Sequence, residues 1–134
     1  MPRAPFSEMT RVLLAEDEPL LREILVEGLL DEGYEVEAGA DGMEALLLYR
    51  TRGPFDAILL DEEMPGLTGR QVLRLLRGEG DRVPAVILSG NLVLDAAEQA
   101  ELGIGPVLRK PVSMRELCAA LADAIAAGPG SGAP

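Results

Sequence analysis

Between residues 10 and 127 the chain alternates five times between short apolar runs and stretches of helical spacing. The runs lie at 12–15, 34–38, 57–60, 85–88 and 106–108. The stretch after the first run places Leu21, Ile24, Leu25 and Leu29 on one helical stripe, and the last places Met114, Leu117, Cys118, Leu121 and Ile125 on another. A period near two marks strands and one near 3.6 marks helices, so the chain predicts five strand–helix units. Asp41 with Glu44, Thr68 with Gln71, and Ser113 with Glu116 each set a capping side chain three residues before a Glu or Gln, predicting three helix starts. Strands alternating with helices predict an α/β fold with helices on both faces of a parallel sheet. Near-continuous apolar runs at 57–60 and 85–88 fit strands covered on both sides. The run at 34–38 alternates apolar with charged residues and reads as an edge strand.

The ends differ from this rhythm. Residues 1–9 and 128–134 are rich in Pro, Gly or small residues and read as a flexible N-terminus and a flexible tail or linker remnant around a domain at 10–127. No apolar core of a secretory signal is visible in the first ten residues, and no run is long enough to span a bilayer. One cysteine rules out an intrachain disulfide, and zero histidines remove Ser-His and Cys-His catalysis and imidazole metal ligation. With 23 acidic against 12 basic side chains the net charge is −11, which argues against nucleic acid or an anionic membrane as partner. A hydrophobic share of 48% is enough for a packed core. The expected setting is cytoplasmic.

The polar groups with chemical promise stand at the carboxyl ends of the predicted strands: Glu16, Asp17 and Glu18 after the first, Asp61 after the third, Ser89 and Gly90 after the fourth, and Lys110 after the fifth. In an open α/β sheet ligands bind at that edge, where the strand order reverses; in a doubly wound 2-1-3-4-5 sheet the reversal brings Glu16, Asp17 and Asp61 together. Three carboxylates in one cleft repel unless a cation intervenes. With no nitrogen or sulfur ligands present, the cation is a hard one such as Mg2+. A lysine and a hydroxyl opposite suit phosphoryl oxygens. Each residue has a plainer reading. Asp17 is also placed to cap the first helix, Asp61 to open a turn with Met64, Pro65 and Gly66, and Ser89 and Gly90 to form a turn. By default Glu62 and Glu63 are solvated loop charges and Cys118 is core.

Four motifs in this order and spacing resemble the receiver domain of two-component response regulators, the CheY-like fold: Leu14-Ala15-Glu16-Asp17-Glu18, Leu60-Asp61-Glu62-Glu63-Met64-Pro65-Gly66, Ile87-Leu88-Ser89-Gly90 and Leu108-Arg109-Lys110-Pro111. The resemblance implies a five-stranded flavodoxin-like α/β/α sandwich. In a phosphorelay, Asp61 would accept a phosphoryl group from a histidine kinase or histidine phosphotransfer protein. Mg2+ would be held by Asp17, Asp61, the carbonyl of Glu63 and, mainly through water, Glu16. Lys110 would pair with Asp61 and then with the phosphoryl group, and Ser89 would hydrogen-bond a phosphoryl oxygen. A cis Lys110–Pro111 bond is also implied.

The resemblance further implies a downstream protein on the face of the fourth helix, fifth strand and fifth helix, about 93–102, 106–108 and 113–126, with a monomer or weak dimer as the assembly. No enzymatic activity beyond the domain's own phosphorylation and dephosphorylation is expected. Three residues or segments depart from the family pattern. Val107 stands where an aromatic switch residue is usual, Glu16 replaces the commoner Asp, and residues 90–105 match loosely. Gly90 is small enough to admit water to an acyl phosphate, and Glu63 and Asn91 flank the site where they would tune its hydrolysis. The alternatives weighed are an unphosphorylated receiver-like scaffold, suggested by Val107, an aspartate-nucleophile phosphatase and a flavodoxin. The phosphatase lacks its second Asp, since Glu63 stands two residues after Asp61. The flavodoxin lacks a Ser/Thr/Gly phosphate loop after the first strand.

Overall fold

The computed structural model describes residues 9–91 and 94–129, so the expected flexible segments at 1–8 and 130–134 lie outside the described residues. The five units are β1 (Arg11–Ala15), α1 (Pro19–Asp31), β2 (Glu35–Gly39), α2 (Gly42–Arg52), β3 (Ala57–Asp61), α3 (Gly69–Gly78), β4 (Ala85–Ser89), α4 (Ala96–Leu102), β5 (Ile104–Arg109) and α5 (Met114–Ala127). All four strand pairings are parallel and the order is β2-β1-β3-β4-β5. The fold is therefore the expected 2-1-3-4-5 sandwich, with β2 on an edge.

Alternation along each central strand splits the core in two. Leu13, Ile58, Leu60 and Ile87 point to one face and pack with Leu46 of α2, Val72, Leu73 and Leu76 of α3 and Leu102 of α4. Val12, Leu14, Leu59, Val86 and Leu88 point to the other and pack with Leu25 and Leu29 of α1 and Leu117 and Leu121 of α5. Both faces of β3 and β4 are covered, which is why their runs are uninterrupted.

The predicted helix starts form as read. The Asp41 side chain accepts from the Glu44 N–H, and Thr68–Gln71 and Ser113–Glu116 make complete capping boxes. Asp95, overlooked in the sequence, caps α4 through the Glu98 N–H. Asp17 is not the cap of α1. That position is Glu18, whose own N–H is taken by Glu16 Oε2 at 3.1 Å.

Several expectations fail in detail. Ile24 is half exposed instead of buried, because α1 contacts the sheet through Leu25 and Leu29. Cys118 is half-buried on the rim of the second core instead of inside it. The fourth helix starts only at Ala96, and Val93 lies outside the described residues. Pro65 followed by Gly66 at φ +78° gives the chain a tight turn before α3. Gly69 then lets α3 lie against the end of β3: a Cβ there would sit 2.8 Å from the Asp61 carbonyl oxygen.

Candidate functional site

The parallel sheet puts every strand's carboxyl end on one edge, and the register sets the depth of each side chain there. Asp61 pairs across from Leu88, so Ser89 stands one residue further out. Ser89 pairs with Arg109, and the Lys110 N–H donates to the Ser89 carbonyl at 2.8 Å, which fixes where Lys110 leaves β5. The Lys110–Pro111 bond is cis, as expected, and so is Gly53–Pro54. On the β1 side, the Arg22 guanidinium of α1 donates to the Glu16 carbonyl at 2.9 Å and braces the loop that carries Glu16 and Asp17.

These constraints bring Glu16, Asp17 and Asp61 together, with one carboxylate oxygen of each within 4.8 Å of the others. Glu16 and Asp61 are each only 1% exposed. Lys110 Nζ lies 2.7 Å from Asp61 Oδ1 and 3.6 Å from Glu16 Oε1. Among the described residues Lys110 is the one cation against these oxygens; Glu16 Oε1 and both Asp61 side-chain oxygens are buried, and beyond Lys110 only the Glu63 N–H helps Asp61. Native proteins leave few buried polar atoms unsatisfied, and here three fall on two adjacent carboxylates.

The electrostatics express the same shortage. Burial, with a smaller push from the Asp61 charge, raises Glu16 to about 7 against the opposing Glu18 N–H and Lys110. Burial, with a smaller push from the Glu63 charge, also raises Asp61, against the hydrogen bond and charge of Lys110 and a hydrogen bond from the Glu63 N–H. Lys110 is desolvated too, yet its pairing with Asp61 and the charges of Glu16 and Glu63 outweigh that and raise its pKa. A divalent ion would relieve all three carboxylates at once. The donor set is all oxygen, which fits Mg2+ better than a softer metal.

Ser89 is buried, and its hydroxyl donates to Glu63 Oε2. The other Glu63 oxygen accepts from the Gly90 N–H at 2.9 Å, and the Gly90 carbonyl accepts from Arg109 at 3.2 Å. The Glu63 carboxylate is thus turned toward the β4–α4 loop and stands outside the three-carboxylate cluster. Its neighbour overturns an expectation. Glu62 is not a solvated loop charge but is 5% exposed, accepting from the Arg70 N–H at 2.9 Å and from Arg70 Nε at 3.1 Å. Arg70 reaches on to Glu98 of α4 at 3.2 Å, and Arg74 bonds Glu98 at 2.9 Å and Glu101 at 3.0 Å. A sequence signal for Glu62 existed: the Thr68 capping box puts Arg70 in the first turn of α3, where its N–H has no helical partner.

Beside Lys110 an apolar cavity of about 340 Å3 is lined by Leu21, Leu25, Leu88, Lys110, Pro111 and Val112. Leu20 and Ile24 stand exposed on the same helix as Leu21 and Leu25. No helix among the described residues is long and apolar enough to cross a membrane.

Comparison with known proteins agrees with this arrangement. The model of the response regulator receiver domain matches residues 12–122. A probable transcriptional regulatory protein of Picosynechococcus is 34% identical over 123 residues, covering 87% of this chain and 49% of that protein. The response regulator MprA of Mycobacterium tuberculosis is 38% identical over 110 residues, covering 81% of this chain and 47% of that protein. The chain thus spans about half the length of these curated relatives. Among solved structures, the chemotaxis protein CheY4 of Vibrio cholerae superposes with a TM-score of 0.79 at 30% identity, covering 87% of this chain and 98% of that one. A Francisella response regulator receiver domain gives 0.76 at 30% identity, covering 88% and 98%. With its site at the edge where that fold binds ligands, this chain belongs to the response regulator receiver domains of two-component systems.

Proposed function

We propose that Asp61 is a phosphoacceptor, taking a phosphoryl group from a phosphohistidine on a histidine kinase or histidine phosphotransfer protein, in a phosphorelay that depends on Mg2+. The observation that carries this reading is the state of Asp61: a buried carboxylate 2.7 Å from Lys110 and close to Glu16 and Asp17, with too few donors to offset its burial. A carboxylate kept so poorly solvated keeps its nucleophilicity.

In the reaction an Asp61 side-chain oxygen bonds to phosphorus while the phosphorus–nitrogen bond to the donor imidazole breaks, and the nitrogen departs with the electron pair. Asp17, Asp61, the Glu63 carbonyl and, largely through water, Glu16 would hold Mg2+, which would neutralise charge on the phosphoryl oxygens. Lys110 moves its pairing from Asp61 to the phosphoryl group. Ser89 hydrogen-bonds another phosphoryl oxygen. The modification adds about −1.5 to −2 charge and three acceptors, and the chain responds only as far as these contacts differ between the two states.

Both movable groups lead to the proposed output face. Lys110 follows β5, and Ser89 precedes the loop into α4, which Gln99 ties to β5 through the Gly105 carbonyl at 2.9 Å. The exposed Leu20 and Ile24 and the apolar cavity beside Lys110 suit the surface a donor protein would meet on its way to Asp61. The reading assigns the receiver to residues 10–127, its place to the cytoplasm, and its chemistry to its own phosphorylation and dephosphorylation. The domain acts by protein contact, as a monomer or weak dimer. The acidic surface of this domain suits no nucleic acid, and any such contact in a longer relative would lie in the half that this chain does not match.

The test is intact mass after incubation with magnesium and acetyl phosphate, beside Asp61→Ala. One added phosphoryl group, lost in the variant and with chelator, is the expected result. No addition, together with no saturable response to beryllofluoride and no magnesium binding, would overturn it in favour of a silent scaffold.

A further inference from the structure

The Glu63 carboxylate is not needed to complete the cluster around Asp61, yet it is well held. One oxygen takes the hydroxyl of buried Ser89 and the other takes the Gly90 N–H. Arg109 donates to the Gly90 carbonyl at 3.2 Å, and the Ser89 oxygen accepts from the Asn91 N–H at 3.2 Å. An anionic acceptor with two oxygens therefore already engages the donors at the end of β4.

We propose that Glu63 acts as an internal stand-in for the phosphoryl group, a positioning residue that holds the Ser89 hydroxyl and Gly90 N–H at rest and competes for them after Asp61 is modified. This rests on the phosphoacceptor reading above. The competition follows from donor counting: a serine hydroxyl has one proton to give, and both rivals are anionic oxygens. A phosphoryl group on Asp61 gains Ser89 only by displacing the Glu63 carboxylate. The differential contact that drives the switch is reduced by what the latch is worth. Glu63 is exposed on its outer side, so the displaced carboxylate has water to enter and the exchange is reversible. The latch thus lowers occupancy of the switched state without blocking it.

The test is a titration of the full chain with beryllofluoride and magnesium, followed by the amide signals of Gly90 and Asn91, for wild type, Glu63→Ala, Ser89→Ala and the double variant. Glu63→Ala is expected to lower the half-saturating concentration about fivefold to tenfold, the scale of one partly exposed charge-assisted hydrogen bond. In the Ser89→Ala background the same change is expected to shrink to about twofold or less, because the hydroxyl contact is then absent and only the Gly90 N–H is left to compete for. Glu63→Gln, which keeps an acceptor and loses the charge, should fall between. An unchanged or higher half-saturating concentration for Glu63→Ala would overturn the latch, and so would an equal drop in both backgrounds, which is the mark of simple charge repulsion. A wild-type chain without any saturable response would instead sink the phosphoacceptor reading and the latch with it.

Discussion

Asp61 and Glu62 are consecutive carboxylates, both buried, and they meet opposite fates. Glu62 turns toward α3 and is satisfied there: the Arg70 N–H and guanidinium bind it, and Arg70 continues to Glu98 and, through Arg74, to Glu101. Asp61 turns toward β1 and β5, into a cleft holding two more carboxylates and one lysine, where Lys110 and the Glu63 N–H do not offset the cost of its burial. Burial alone therefore says little about function here. What separates the two is whether the fold supplies enough hydrogen bonds and countercharge. Where it does, the carboxylate is structural. Where it does not, the carboxylate is left with a shortage that a bound cation would relieve.

Removing the scarce cation should show this most strongly. Lys110→Ala leaves buried, neighbouring carboxylates with no countercharge, and should lower metal-free stability by about 2–3 kcal/mol in urea denaturation, with Lys110 partly exposed and the cost correspondingly below that of a fully buried pair. A loss under about 0.5 kcal/mol would mean the pocket is wetter than its burial suggests.

The two neighbours should then respond with opposite signs. Asp61→Asn removes an undersolvated charge and should stabilise the metal-free chain by about 1 kcal/mol. Glu62→Ala strips two donors of their acceptor and should destabilise it by about 1–2 kcal/mol while leaving magnesium binding unchanged. Equal signs would erase the contrast.

Protons and metal should compete at Glu16. Its carboxyl is held at about 7 in the fold by burial, above its ordinary 4.5, so the metal-free fold binds a proton between those values that the unfolded chain does not. The stability from this group is present below about pH 4.5 and is lost as pH rises through about 7. Magnesium needs the charged form, so calorimetry should show its affinity rising up to about tenfold per pH unit below 7 and levelling above, with about one proton released. A flat profile from pH 5 to 8 would show that Glu16 is not engaged. The smallest effect belongs to the outer end of the α3–α4 network. Arg74 is half exposed, and Arg74→Ala should cost under about 0.5 kcal/mol and vanish in high salt.

The local rules wrote much of this molecule legibly into the sequence. Short apolar runs followed by stretches of 3.6-residue period marked all five units. Side-chain oxygens three residues ahead of a Glu or Gln marked three helix starts, and the alternation of strands with helices placed Glu16, Asp17, Asp61, Ser89 and Lys110 on one edge. Those features depend on neighbours within four residues or on the handedness and direction of strands, which the chain specifies by itself.

What only the tertiary structure decided depends on how elements approach one another. Ile24 sits on the same helical stripe as Leu25, yet α1 meets the core through Leu25 and Leu29 and leaves Ile24 half exposed. Glu62 reads as a loop charge until α3 swings its first turn beneath it, an approach that Gly69 permits by having no side chain against the Asp61 carbonyl. Glu63 and Ser89 are 26 residues apart and meet because β3 and β4 are adjacent, in a register that no local pattern encodes. Hydrogen bonds and desolvation act over a few ångströms in space, whereas the signals read from sequence act over a few positions along the chain. The acids at the strand ends were therefore visible in the sequence, while the shortage of donors around Asp61 and the carboxylate that holds Ser89 emerged only once the strands were set side by side.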